Sequence, residues 1–402
     1  MSVLSSSRQP ASLYPPVAQH PPFLHLNNFV NSTFNYPSIL SALLSVLILS
    51  PCLFAQTPST QSRVAMIEDP SLLTNFDPKP DRIKTAISAL LTTLTEKSTP
   101  SEAWQALGIS PDDIVAVKVT ARGDPRTGTR REVADAVAAS LIAAGVKPDQ
   151  ITLWDKREVD MTKSGYPIRQ EPNKVQVRAI IASAASDIPG LGFDPDCPPY
   201  FNAVMGQLIY GDLKFQPSLM DGLPLSSGGS GSSSDKIPYW SYFTKLITPK
   251  QVKVVNIGSM TSDPDVGIYG CCISLALGSV DNSRRLLKPN ADQDTTVGDI
   301  LMSDPLLKPK TVLHISDGLI VKFAGGKEFD ANYSYTPGLL LASTDPVAMD
   351  VLALARFEKK RLDPGVGIPP IPKIGKVPHI EGAALSGAGT SNLEKIQVLP
   401  AK

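Results

Sequence analysis

The chain has 402 residues, 42% hydrophobic and 19% charged, enough for one large core or two modest ones. Its 38 basic and 38 acidic side chains cancel, and no basic stripe with interleaved aromatics occurs, so no nucleic-acid partner is expected. Its four cysteines include no C-x-x-C, which argues against an iron–sulfur cluster or a cysteine-held zinc.

Residues 1–37 are polar and proline-rich, with Arg8 the sole basic side chain, and read as disordered or as an upstream start. Ser38 to Ala55 (SILSALLSVLILSPCLFA) is short for a membrane span but suits the apolar core of a signal peptide. Export to the periplasm or outside the cell is the expectation, with an uncleaved anchor as the alternative and the only membrane contact. Residues 56–100 hold a linker and a helix at Asp81 to Leu94, where Ile83, Ile87, Leu90 and Leu94 share one face. The main domain is 101–402, opened by a short helix at Ser101 to Leu107.

The most informative stretch is Asp113 to Lys156, which predicts a βαβ unit. Ile114, Val115, Val117 and Val119 form a near-continuous β-branched run, as in a strand covered on both faces. Thr129 and Glu132 have capping-box spacing, and Val133, Val137, Leu141 and Ala144 make a helical stripe. Gly145 suits the left-handed end of that helix, and Ile151 to Trp154 begin a second strand. A crossover of this length makes the two strands parallel.

Further strands are predicted at Val175 to Ile181, Val252 to Ile257, Thr311 to Ile315 and Gly338 to Ala342. Helices are predicted at Cys271 to Leu277 and Val347 to Arg361. Met161 to Pro172 reads as loop, and SSGGSGSSS at 226–234 as a flexible insertion. The fold class is therefore α/β, a mostly parallel or mixed sheet with helices on both faces.

In such sheets ligands gather beyond the carboxyl ends of the strands. Lys118, Arg122 and Arg126 reach that edge, together with the predicted helix start, whose unpaired N–H groups suit an anion. The loop Gly123 to Arg130 departs from a phosphate-binding G-x-x-x-x-G-K-[ST] loop: the lysine is missing and Pro125 removes one donor. Asp155, Asp317 and Asp345 each follow a strand. If those strands are parallel neighbours, their carboxylates converge, and Asp155 and Asp345 become candidates for acid–base work or for a divalent cation. The competing reading of Asp345 is a helix cap. His314, in an apolar strand, reads as a core histidine. Asn282 and Arg284 follow a glycine-serine turn and suit a carboxylate or phosphate. Cys197 either pairs with Cys271 or Cys272 or remains a thiol.

The segments AVKVT, LIAAGV, ITLWDK, ALGSVDNSRR, ISDG, LLLASTDPVAMDVLA and GAALSGAG resemble the bacterial and archaeal family called "domain of unknown function 362". The resemblance covers about Asp113 to Val398, and ASTDPVAMD (Ala342 to Asp350) is its most specific motif. The family has no settled reaction, so the resemblance implies a scaffold rather than a chemistry. Some members carry iron–sulfur segments or twin-arginine signals, and neither is present here. The resemblance also implies a lysine-histidine pair and a lysine-asparagine pair where this chain reads Ser259-Met260-Thr261-Ser262 and Leu275-Ala276-Leu277. Two functions follow as expectations: an enzyme or enzyme relative holding a small anionic molecule at the strand edge, or a non-catalytic binding or redox-accessory protein.

Overall fold

Strand β1 (Ser62–Glu68) opens the described chain and is followed by a two-residue ladder between β2 (Leu73–Thr74) and β3 (Asp77–Pro78). Helices α1 (Pro80–Thr95) and α2 (Pro100–Ala106) lead into β4 (Ile114–Val119), α3 (Arg131–Ala143) and β5 (Ile151–Arg157). Then come α4 (Glu158–Lys163), β6 (Gln176–Ile181), β7 (Val252–Asp263), β8 (Gly267–Ile268) and α5 (Cys271–Gly278). The chain continues through α6 (Thr296–Leu301), β9 (Thr311–Lys322), β10 (Ser334–Tyr335) and β11 (Leu339–Ser343). It closes with α7 (Pro346–Arg361), α8 (Pro378–Leu385) and β12 (Ile396–Pro400). These elements come from a computed structural model that describes residues 61–194, 196–197, 241–281, 283, 295–368 and 377–402. The tail and export segment, Cys52, the Ser/Gly insertion, Asn282 and Arg284 all lie outside the described residues.

One ten-stranded sheet has the order β12-β1-β11-β9-β7-β4-β5-β6, with β8 and β10 attached to β7 and β9. β9, β7, β4, β5 and β6 are parallel, and β4–β5 has the expected βαβ pairing, Val115 beside Ile151 and Lys118 beside Trp154. β11 runs against both of its neighbours, which makes the sheet mixed. Alternate residues of β4 feed two separate cores. Val115, Val117 and Val119 pack with α1, α2 and α3, whereas Ala116 belongs to the core beneath α5, α6, α7 and α8. Burial on both sides explains the unbroken apolar run. Trp104 of α2 is fully buried, and its indole N–H donates to Ser140 Oγ at 2.9 Å, so its single polar atom is satisfied.

Several local expectations change, among them Met161 to Lys163, read as loop and found in α4. The capping box at α3 is not formed: the helix starts at Arg131 with Arg130 as its cap residue, and Thr129 is used elsewhere. A capping box does form at α2, where Thr99 and Glu102 bond each other's backbone N–H. β7 and β9 also run well past the predicted Ile257 and Ile315. Gly258 and Gly318, which look like strand breaks, are sites of close approach instead. A Cβ at Gly258 would meet Cys271 at 2.8 Å, and one at Gly318 would meet Met260 Sδ at 2.5 Å.

The connections reverse direction at the centre of the sheet. β4 leads through α3 to β5 and β6 on one side, while β7 and β9 lie on the other. The helix that follows β4 packs in one core and the helix that follows β7 packs in the other. The crevice between the carboxyl ends of β4 and β7 is thus the switch point where such sheets hold ligands. Among the described residues no helix is long and apolar enough to cross a membrane.

Candidate functional site

β4 delivers Lys118 to the switch point, where it is 1% exposed. Its ammonium donates to Val119 O at 2.6 Å and Ser274 Oγ at 3.2 Å, and pairs with Asp155 Oδ1 of β5 at 2.7 Å. The indole of Trp154 lies 5.5 Å from the same nitrogen. Burial pulls the Lys118 proton affinity below its ordinary value, and the Asp155 charge opposes that pull. Lys156 continues the edge with its Nζ on Ser283 Oγ at 2.7 Å. Asp160, in α4, is pushed above the usual carboxylate range by burial, with Arg157 opposing.

The loop after β4 crosses over the end of β7 and is pinned at both ends by carboxylates. Asp155 Oδ2 accepts from Ala121 N at 2.6 Å, and Asp317 Oδ2 of β9 accepts from Arg130 N at 2.7 Å. Between these points the hydroxyls of Thr120 and Thr129 both donate to Ile257 O, at 3.2 and 2.7 Å. A Cβ at Gly128 would sit 2.1 Å from Thr120 O, so only glycine lets the two loop arms touch. The remaining loop amides are largely spent inside the loop. Gly123 N donates to Ser164 Oγ, Arg126 N to Asp124 Oδ1, Thr127 N to Asp124 O and Thr129 N to Thr120 O. The amides therefore do not form an open anion cradle, and the carboxylate at the start of α3 is the protein's own Asp317. That aspartate is fully buried; burial raises its proton affinity, and Arg130, 3.6 Å away, opposes the rise.

The predicted residues thus separate. Lys118 and Asp155 meet directly. Arg122 turns towards β7, where it pairs with Asp263 at 2.8 Å and stacks on Tyr269 with its guanidinium carbon 4.3 Å from the ring centre. Arg126 is spent on both oxygens of Asp124 and stacks over Phe329. Asp345 does not join Asp155 and Asp317. Because β11 is antiparallel, its carboxyl end lies at the opposite edge, where Ser343 pairs with His314 near the start of β9. There Asp345 caps α7 through Ala348 N at 2.8 Å and accepts from Thr390 N at 3.0 Å. The three-carboxylate convergence is therefore absent, since strand direction is not written in the local apolar pattern. Among the described residues no group of three His, Cys, Asp or Glu side chains is gathered for a metal ion. His314 is a core histidine, with Nδ1 3.1 Å from Asn256 Nδ2 and its pKa lowered by burial to about 3.

Sequence reading missed several neighbours of this edge. Asp350, inside α7, accepts from Cys271 N and Cys272 N at 2.6 and 2.9 Å and so caps α5. The two aspartates of the ASTDPVAMD segment therefore hold two different helix starts. None of Cys197, Cys271 and Cys272 is in a disulfide. Ser274 and Asp263 lie in segments read as loop or apolar helix, and Lys322 sits in the overrun of β9. The available signal for Lys322 was a lone charge inside the apolar run Leu319 to Phe323. The surface depression bounded by Glu96, Lys97, Ser98, Glu102, Gln105 and Ala106 shares no residue with this edge. No family model, curated protein or solved structure matches the chain.

Proposed function

We propose that this protein holds a small anionic molecule at the switch-point edge, with Lys118 and Asp155 as the fixed pair and Lys156 as the outer cation. The carrying observation is the buried Lys118–Asp155 ion pair at the end of the central strands, beside the partly exposed Lys156. An ion pair with so little water around it costs free energy to assemble, which makes it costly as mere scaffolding. Placement at the switch point supplies the second support. Membership of the "domain of unknown function 362" family is part of the same proposal and is supported by the quoted segments. So is export directed by Ser38 to Ala55, which N-terminal sequencing of the secreted protein tests.

A non-catalytic binding role is the second reading, favoured by the structural use of the carboxylates: Asp317 and Asp345 are committed to backbone N–H groups. Thermal shift of the full chain against small carboxylates tests both readings. Stabilisation that is lost in Lys156→Met supports the site, and no stabilisation by any of them defeats it. Mass spectrometry of a bound carboxylate after incubation separates the two roles: an altered mass indicates an enzyme, an unaltered one a binding protein.

A further inference from the structure

Three lysines among the described residues are almost entirely buried: Lys118 at 1% exposure, Lys310 at 6% and Lys322 at 1%. An ammonium has three N–H donors, and leaving one unmet away from water is expensive. Lys118 has the three acceptors already described. Lys310 also has three, the carbonyls of Ile247, Thr248 and Pro249 at 2.5, 3.2 and 3.0 Å. Lys322 has one among the described residues, the carbonyl of Gly326.

The surroundings of Lys322 do not make up the difference. It lies at the end of β9, paired in the ladder with Thr261 of β7. The adjacent cation is Arg122, whose Nε–H is buried and meets no acceptor. Of the carboxylates acting on Lys322, Asp263 is the buried one, and both its oxygens are occupied, Oδ2 by Arg122 and Oδ1 by the amides of Asp265 and Val266. The other carboxylates acting on Lys322, Asp330 and Glu328, are partly or fully exposed. His379 of α8, next to Asp263 and 5% exposed, also has an Nε2 without a partner. Two cations thus lie beside one committed carboxylate, with at least three N–H positions unspent between them: two on Lys322 and, on Arg122, the buried Nε–H.

We propose that the ends of β7 and β9 form an oxyanion site, separate from the Lys118–Asp155 edge, in which Lys322 and the Nε–H of Arg122 donate to a phosphate or carboxylate group of a small molecule. An oxyanion supplies several acceptor lone pairs and the missing negative charge together, whereas a water molecule supplies acceptors without charge. The stacking of Arg122 on Tyr269 fixes the guanidinium plane and leaves its edge for such donation. In agreement, burial and then Arg122 lower the Lys322 pKa to about 8, the mark of a cation short of compensation.

The test uses the full chain, with inorganic phosphate and acetate as probes in calorimetric titration. Lys322→Met is expected to weaken phosphate binding about tenfold or more, and Lys322→Arg to keep most of it. Hydrogen exchange on the unaltered protein provides a readout that does not depend on a folded variant: phosphate is expected to protect the segments around 261–269 and 319–330 above the rest of the chain. Binding that is equal in Lys322→Met and the parent overturns the site, as does the absence of both binding and local protection. Loss in Lys156→Met with retention in Lys322→Met leaves the switch-point proposal standing and removes this one. The reverse pattern keeps this site and removes the other.

Discussion

Lys118 and Lys322 are equally hidden from water, yet their surroundings differ in kind. Lys118 is closed: carbonyl, hydroxyl and carboxylate take its three donors, and Trp154 covers it. Lys322 is open: one carbonyl, a cation beside it and a carboxylate already committed to that cation. Burial by itself therefore does not say whether a charge can take a guest on its own donors; the count of unmet donors does, and at the closed centre a guest would meet Lys156 at the rim instead of Lys118. The closed centre holds β4 to β5 and anchors the loop that follows. The open centre holds little together and keeps donors of its own for a guest.

The sharpest way to break this comparison is Asp155→Ala. It strands the Lys118 charge and frees Ala121 N, and denaturant unfolding is expected to show a loss of about 3–5 kcal/mol. Pairing Lys118→Met with Asp155→Leu should recover most of that loss, since the charge and its partner leave together. Lys322→Met, without added anion, is expected to act in the opposite direction and raise stability by about 1–2 kcal/mol. If it destabilises the fold as much as Asp155→Ala does, the two centres are alike and the distinction fails.

The same contrast has a pH signature. Lys322 has a folded pKa of about 8 against an ordinary 10.5, so between those values the unfolded chain holds a proton that the native one has lost. Stability attributable to Lys322 should thus rise from about pH 8 towards 10.5, and that rise should vanish in Lys322→Met. The smallest effect is expected at Arg126, whose exposed pair with Asp124 lies outside both centres: Arg126→Ala should cost no more than about 1 kcal/mol and leave phosphate titrations unchanged.

The parts legible beforehand share one property: their signal is local. The β4–α3–β5 unit was readable because a β-branched run, a helical stripe and Gly145 at φ +101° all act within a few residues. That unit also brought Lys118 and Asp155 to one edge, although their direct pairing was not legible. Other features depended on distant partners. Thr129 has capping spacing, but Ile257 O on the neighbouring strand and Thr120 N at the other end of its own loop claim its hydroxyl. The strands predicted to stop at Ile257 and Ile315 run on through Gly258 and Gly318, because Cys271 and Met260 are packed against those glycines. The antiparallel course of β11, which moves Asp345 to the far edge, comes from its neighbours rather than from its own five residues. Lys322 was hidden for the same reason, because its strand was read as ending before it.

The placement of β1 bears on how the molecule is made. Ser62 to Glu68 is flanked by β11, at Leu339–Ala342, and by β12, at Ile396–Pro400. A ribosome releases this strand early and its hydrogen-bonding neighbours only near the finish. Contacts so far apart along the chain slow folding and leave edges uncovered in the interval. Of Val64 and Ala65, both fully enclosed in the finished protein, Ala65 can pack early against the helix that follows, but their ladder is complete only once Leu339 to Ala342 and Ile396 to Pro400 have been made.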